Sequence, residues 1–360
     1  MAVFKKIEAR EAPIGSRGVF LWAKENLFSS PTNIALTILG VAILFWIIPP
    51  FIEWSFINAH FAGNTNTHPK VGANWVFIKV KMDMFLYGFY PKAEIWRVNL
   101  AYGLFLIVIA IFKYGKGALL KTFSVAIYFI IAYILIRGGI FGLEGVDYSK
   151  WGGLLLTIII SVVGIVFSFP LGVLFALGRQ SELPIIKSFS ISYIELMRSV
   201  PLITVLFMSS VILPLFLPEG VTFDKLLRAL VGLVIFESAY ISEAIRGGIQ
   251  AIPKGQYEAA DAIGLSYWGK MLLVILPQAL KVAIPNLVGI FISIVQNTTL
   301  VMIIGLFDLL AMVQVTASDS HWLGYETEGY VFVTIIFWVV CYMMSLVSKS
   351  LEDRFNTSNK

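Results

Sequence analysis

Residues 241–277, ISEAIRGGIQAIPKGQYEAADAIGLSYWGKMLLVILP, sit between two strongly apolar segments yet carry Glu243, Arg246, Lys254, Glu258, Asp261 and Lys270. A bilayer core offers no water to such a run, so it predicts a large water-facing connection between membrane helices. Gly247-Gly248 loosen the end of the preceding helix, and Pro253 prevents its simple continuation. Residues 256–263 then read as a short amphipathic helix. Tyr257, Ala260 and Ile263, at i, i+3 and i+6, form its apolar ridge, with Glu258 and Asp261 beside it. Gly264 stops that helix, Ser266 caps the next, and Leu276-Pro277 marks a break where the chain returns to the membrane. A short rigid helix of this kind suits insertion into a groove on a partner. On physics alone an ordinary connection fits equally well.

Composition sets the medium. Hydrophobic residues make up 58% of the 360 and charged residues 14%, with a mean hydropathy of +0.84. Too few charges remain to cover a soluble surface, so the chain reads as an integral membrane protein. Long apolar runs at 32–52, 152–178, 199–218, 282–307 and 329–348 are near helix-spanning length, unlike the ten-residue alternation of a barrel. The fold expected is an all-α bundle of about eight transmembrane helices. A net charge of +5 gives no case for nucleic acid and fits basic cytoplasmic loops. Cys341, the single cysteine, reads as a packing residue.

Taken in order, residues 1–31 form a cytoplasmic N-terminal segment without the apolar core of a cleaved signal peptide, and 19–28 suit a membrane-surface helix. Ser30-Pro31 opens the first span, which ends at Pro49-Pro50. Residues 51–97 read as a long exposed loop anchored by Trp54, Trp75 and Trp96. The 15-residue segments 98–112 and 122–136 are short, but Arg97, Lys113, Lys121 and Arg137 can snorkel and lengthen both; a re-entrant pair is the alternative. Residues 32–150 thus make a three-helix N-terminal extension, and 138–150 a boundary loop. Residues 151–350 form a five-helix core and 351–360 a cytoplasmic tail. In the first core helix Thr157, Ser161, Gly164 and Ser168 set small residues on one face for close packing, and Pro170 should kink it. A loop at 179–187 leads into a long helix over 191–218. One set of loops holds 18 Lys and Arg, the opposite set 9, which places both termini and the Glu258 loop in the cytoplasm.

Charges inside or beside the spans are the site candidates. Glu237 lies well within the sixth segment, where an unpaired charge costs ~2.5–3.5 kcal/mol, so it faces a polar cavity, pairs with a cation or is protonated. With Gln296, Asn297 and Thr298 of the seventh segment it forms a candidate translocation path, and a structural carboxyl is the plainer reading. Glu195, Arg198, Glu243 and Arg246 lie near the cytoplasmic ends and suit gate or loop ion pairs. The run 264–271 nearly matches a phosphate-binding loop, but Met271 replaces the magnesium-binding hydroxyl and no strand precedes it, so nucleotide chemistry belongs elsewhere. His60, His68 and His321 fall in predicted external loops without ligand spacing, leaving no case for a metal or a membrane enzyme.

Glu258-Ala259-Ala260, then Gly264, then Val274-Ile275-Leu276-Pro277 resembles the EAA signature of binding-protein-dependent ABC importer permeases, with Val274 where isoleucine is usual. The stretches 240–256, Pro277-Gln278-Ala279, Asn297-Thr298-Thr299-Leu300 and Glu195-Leu196-Met197-Arg198-Ser199-Val200-Pro201-Leu202 are similar to the polar amino-acid uptake branch. Ser199-Val200 depart from it. The layout looks like a permease of general L-amino-acid importers in a bacterial inner membrane. That resemblance implies a type I importer permease core with a cytoplasmic loop at 247–280, structured by Gly247, Pro253, Leu276 and Pro277. Its coupling helix would run through Tyr257, Glu258, Ala259, Ala260, Asp261, Ile263 and Gly264. It further implies a dimer of ATP-binding subunits that holds ATP-Mg, a second related permease, and a periplasmic amino-acid-binding protein, with no cofactor or catalysis in this chain. An ion-coupled secondary transporter using Glu237 is the rival.

Overall fold

The structure is a computed structural model that describes residues 18–62, 71–216, 218, 220–221 and 223–355. The readings of residues 1–17 and of His68 lie outside these. Two compact units divide the chain, Met1–Val76 and Phe77–Lys360.

In the first unit, α1 (Val19–Leu27) occupies the predicted surface-helix position and α2 (Pro31–Ile52) the first span. Ser30 caps α2 as expected, its side chain accepting from the Asn33 N–H at 3.1 Å with Pro31 in the first turn. The expected stop at Pro49-Pro50 is corrected: the helix continues to Ile52 and on through a π-helical turn, Glu53–Ile57. Each proline removes only its own N–H, and the Glu53 N–H still reaches the carbonyls of Pro49 and Pro50.

The presumed loop at 51–97 is largely folded. Trp75 Nε1 donates to the Ser55 carbonyl at 2.8 Å, and its ring meets Trp54 edge-on. Helix α3 (Val76–Tyr87) follows. Phe77 and Phe85 are buried, Phe77 against Trp322 at 5.5 Å between ring centroids, and Lys81 pairs with Asp319 at 2.6 Å. The charges of Lys79, Lys81 and Asp83 hid this helix; Lys79 and Asp83 are exposed, whereas Lys81 stands on the face of the buried rings, between Phe77 and Phe85. Trp96 keeps the exposed ring of an interfacial anchor.

Helices α4 (Ile95–Tyr114) and α5 (Ala118–Arg137) are 20 residues each, about 30 Å and enough to span. Lengthening therefore came from the flanks, as expected, but not by snorkelling at Arg97. That side chain is 0% exposed, pairs with Glu94 at 2.9 Å and donates to the Glu144 carbonyl at 2.9 Å.

The core follows from α6 (Gly153–Arg179), which contains Pro170 and buries Thr157, Ser161, Gly164 and Ser168 as the spacing predicted. A Cβ on Gly164 would press on Leu233 and Ile294, and one on Gly172 would overlap Ile241 at 2.4 Å, so the glycines set how closely α6 meets its neighbours. The expected long fifth helix is corrected to two, α7 (Pro184–Ser199) and α8 (Leu202–Val211), meeting at 106°. Val200 is held extended by the proline after it, and Pro201 has no N–H to carry the helix on. Helix α9 (Lys225–Gln250) packs against α6, α7, α8 and α12 (Leu276–Asn297). Between α9 and α12 lie α10 (Lys254–Ala262), α11 (Tyr267–Gly269) and a π-helical turn, Lys270–Ile275. After α12 come a 3-10 stretch (Thr298–Ile304), α13 (Ala311–Ala317) and α14 (Glu326–Phe355).

Among the described residues six helical segments are long and apolar enough to cross a membrane, and the bent pair α7–α8 makes a seventh. Helix α9, at the sixth expected place, is the one of the eight expected spans left out of these. Its 26 residues reach about 39 Å, but Arg228, Glu237, Glu243 and Arg246 break its apolar character, and Glu237, Ser238 and Ser242 are turned inward.

Candidate functional site: a loop helix and a carboxylate-lined cavity

The connection between α9 and α12 is a built object. Helix α9 does not end at Gly247-Gly248, as expected, but three residues later at Gln250. Gly248 is instead a contact point, where a Cβ would meet the Ala279 carbonyl oxygen of α12 at 2.3 Å; Gly247 faces open space. Pro253 sits at the start of α10 with φ −59° and ψ 142°, so the chain does not simply continue the preceding helix, as expected. Gly264 ends α10 at φ +75°, a left-handed conformation that suits glycine. Its N–H bonds the Asp261 carbonyl at 3.0 Å and the Leu265 N–H bonds the Ala260 carbonyl at 3.2 Å, the paired closure of a Schellman motif. Ser266 caps the following turn by accepting from the Gly269 N–H at 3.3 Å.

The ridge predicted for this helix is shorter than expected. Ala260 is 2% exposed and Tyr257 half-buried, but Ile263 is 74% exposed, because the chain leaves helical geometry at that residue. Tyr257 packs beside the cluster of Ile249, Ile275 and Ala279, and burial pushes its phenol above the ordinary value. Glu258, Ala259, Asp261 and Gly264 are exposed. Asp261 pairs with Lys270 at 2.7 Å, and Gln278 donates to Gln256 at 2.9 Å, tying α10 to the start of α12. The break expected at Leu276-Pro277 is also corrected. The helix runs on from Tyr267, and the wider π turn at Lys270–Ile275 accommodates the proline ring and its missing donor.

Glu237 is 2% exposed and accepts from Asn297 Nδ2 at 2.9 Å. The two line a cavity of about 280 Å³ with Leu202, Phe236, Tyr240, Ile290 and Ser293. Ile290, Ser293 and Asn297 share one face of α12, at i, i+3 and i+7. Gln296 and Thr298, grouped with them from sequence, lie off that face. The Gln296 amide points to Cys341 on α14 at 3.9 Å, and the Thr298 hydroxyl donates to the Val295 carbonyl of its own helix at 2.8 Å. Sequence reasoning missed Leu202 and Tyr240. Leu202 enters because the 106° bend follows Pro201, and Tyr240 was legible as the i+3 neighbour of Glu237.

The four charges predicted at the helix ends do converge. Glu243 Oε2 accepts from Arg246 Nε at 2.9 Å and lies 3.5 Å from Arg179 and 3.6 Å from Arg198. Arg179 also reaches Glu195 at 3.1 Å. One carboxylate on α9 therefore joins α6 and α7. Arg179, a fifth member, went unnoticed because it reads as a loop charge. Arg198 also lies over the Tyr240 ring, 5.9 Å from its centroid, so this cluster touches the cavity wall.

Comparison with known proteins bears on this arrangement. The chain is 49% identical over 353 residues, 97% of its length and 96% of the relative's, to the inner membrane amino-acid ABC transporter permease protein YhdY of Escherichia coli. It is 36% identical over 421 residues, 98% of its length and 97% of the relative's, to the glutamate/glutamine/aspartate/asparagine transport system permease protein BztC of Rhodobacter capsulatus. A solved structure described as an amino acid ABC transporter with histidines superposes with a TM-score of 0.50 at 30% identity, covering 56% of this chain and 92% of that one. The ion-coupled alternative finds no support among these. The family model for the binding-protein-dependent transport system inner membrane component matches residues 168–357, and the chain belongs to that family.

Proposed function

We propose that this chain is the membrane subunit of an ABC importer for polar L-amino acids, and that α10 is where its ATP-binding partner pushes. The observation that carries the reading is the connection 251–278. It holds a helix closed at its C-terminal end by Gly264, tied to the π turn by Asp261–Lys270 and to α12 by Gln256–Gln278, with Glu258 and Ala259 left outward. Such an element moves with α9 and α12, because Tyr257 packs against their shared cluster, Ala260 is buried, and Gly248 lets α9 sit close against α12. The names carried by the two full-length relatives support amino acids as the substrate class.

In this reading a dimer of ATP-binding subunits holds ATP-Mg, a second related permease completes the pore, and a periplasmic binding protein delivers substrate. The membrane is the bacterial inner membrane, with both termini and the Glu258 loop in the cytoplasm, as the 18:9 split of basic residues supports. Closure of the ATPase dimer moves α10, and α9 and α12 transmit the motion to the cavity around Glu237 and Asn297. Residues 151–350 form the permease core and 32–150 an appended extension; the solved relative's coverage of 56% of this chain supports that division.

The test is co-expression with the ATP-binding and binding-protein partners, purification, and amino-acid-stimulated ATP hydrolysis in liposomes. Stimulation is expected. A folded assembly that no amino acid stimulates overturns the substrate class, and failure to retain an ATP-binding subunit overturns the coupling role.

A further inference from the structure

A second opening lies away from the Glu237 cavity, between α5 and α6. Phe129, Ala132 and Ile136 form one wall, and Ile159, Val162 and Val163 the other. It holds about 100 Å³, where one water-sized group needs only ~10–15 Å³, so it exceeds an ordinary packing void. Both walls belong to segments that can span the bilayer, so hydrocarbon is the medium at its mouth. A helix, roughly 10–12 Å across with its side chains, needs far more room than about 100 Å³, whereas part of an acyl chain fits it. An empty groove forfeits dispersion contacts along its whole lining.

One end of the groove is chemically different. Tyr133, a lining residue, shares a hydrogen bond with Tyr148 at 3.0 Å between hydroxyls, and the Tyr148 ring meets Trp151, another lining residue, at 4.8 Å. The Arg137 guanidinium stacks on Tyr148 at 4.9 Å while donating to the Val146 carbonyl. Lys150 is exposed in the same turn, and the Asp147 carboxylate, which caps that turn through the Ser149 N–H, offsets one of the two positive charges and leaves this end net basic. An apolar slot ending in aromatic hydroxyls and two cations has the profile of a phospholipid, tail in the slot and phosphate at the basic end. We infer that the α5–α6 groove is a phospholipid site that fills the seam between these two helices. It stands independently of the substrate carried.

The test reconstitutes the full chain in nanodiscs containing phosphatidylglycerol with a diazirine near the middle of one acyl chain, then maps adducts by mass spectrometry. Labelling should concentrate on 129–136 and 158–163, well above the outward residues Leu106 and Ile109 of α4, which serve as the ordinary lipid-facing reference. Val162→Phe should bring groove labelling down to that reference with the α4 adducts unchanged. Arg137→Gln, which retains a donor for Val146, should lower it about fivefold, the effect of one basic side chain on lipid attraction near a membrane surface. Groove labelling no higher than on α4, or equal labelling by a diazirine diacylglycerol that lacks the phosphate, overturns the proposal. So does persistence of the label in both variants.

Discussion

Gly264 and Glu258 answer different questions about the same short helix. Gly264 holds φ +75°, where a side chain is strained and a proline ring cannot close. Glu258 is exposed and has no hydrogen-bond or ion-pair partner among the described residues. Gly264→Pro is expected to abolish transport by destroying the helix end, and Glu258→Lys by reversing the contact charge, each with membrane insertion intact. Normal uptake in both variants would reduce the loop to a connection. Glu237 offers a finer substitution. Glu237→Gln keeps an oxygen for Asn297 Nδ2 and removes only the charge, so a fall in uptake, larger for cationic than for neutral amino acids, is expected. Unchanged uptake of both removes Glu237 from the path. Asp308 was not singled out from sequence, yet it is fully buried. Oδ1 accepts from the Ala311 N–H at 3.0 Å, and Oδ2 has no hydrogen-bond partner among the described residues. Burial pushes its carboxyl up to about 6, against the lowering pull of the Ala311 and Leu310 N–H groups. A folded-state value above the unfolded one means that the native state holds the proton more tightly. The associated stability is complete below about pH 4 and declines as pH rises through about 6. Thermal unfolding of Asp308→Asn, which keeps the acceptor for Ala311, should therefore show a flatter dependence across that window than the parent chain.

At the level of elements, the double glycine in the last turn of α9 separates packing from flexibility. Gly248 lies where any Cβ would strike the Ala279 carbonyl at 2.3 Å, a backbone atom that cannot swing aside, whereas nothing approaches Gly247 within 4 Å. Gly248→Ala should force α9 and α12 apart and destabilise the fold by about 1–3 kcal/mol, the range for overpacking a fitted interface. Gly247→Ala should be neutral or stabilise by ~0.5–1 kcal/mol through the higher helix propensity of alanine. Thermal melts of the two variants in detergent distinguish them, and equal melting temperatures would contradict the contact. The bend at Pro201 belongs to the same scale. It places Leu202 in the cavity wall one residue after the break, while Arg198, three residues before it, reaches both Glu243 and the Tyr240 ring.

For the molecule as a whole, the asymmetry of basic residues underlies the proposed orientation, in which Lys254 faces the cytoplasm and Gly142 the opposite side. Cysteines introduced at Lys254 and at Gly142 in a chain whose Cys341 is replaced by alanine should label from opposite sides of the membrane, Lys254 from the cytoplasm. Labelling of Lys254 from the outside reverses the topology and with it the docking of any cytoplasmic partner. The all-α class, most of the spans, the small-residue stripe of α6 and the caps at Ser30, Gly264 and Ser266 were legible in the sequence. Each depends on apolar run length or on residues within a few positions of one another, and such signals survive whatever the rest of the chain does. The structure decided what lies far apart in sequence or runs through a proline. Asn297 meets Glu237 across 60 residues, Arg179 joins Glu243 from another helix, and Phe77 finds Trp322. Pro49-Pro50 and Pro277 stay within helices, whereas Pro201 breaks one. The sequence by itself determined the medium, most of the spanning helices and the C-terminal stop of the Glu258 helix, because hydropathy and capping are local. Tertiary packing alone decided which polar side chains face one cavity and where helices stay open, because those choices depend on how surfaces fit that no short window contains.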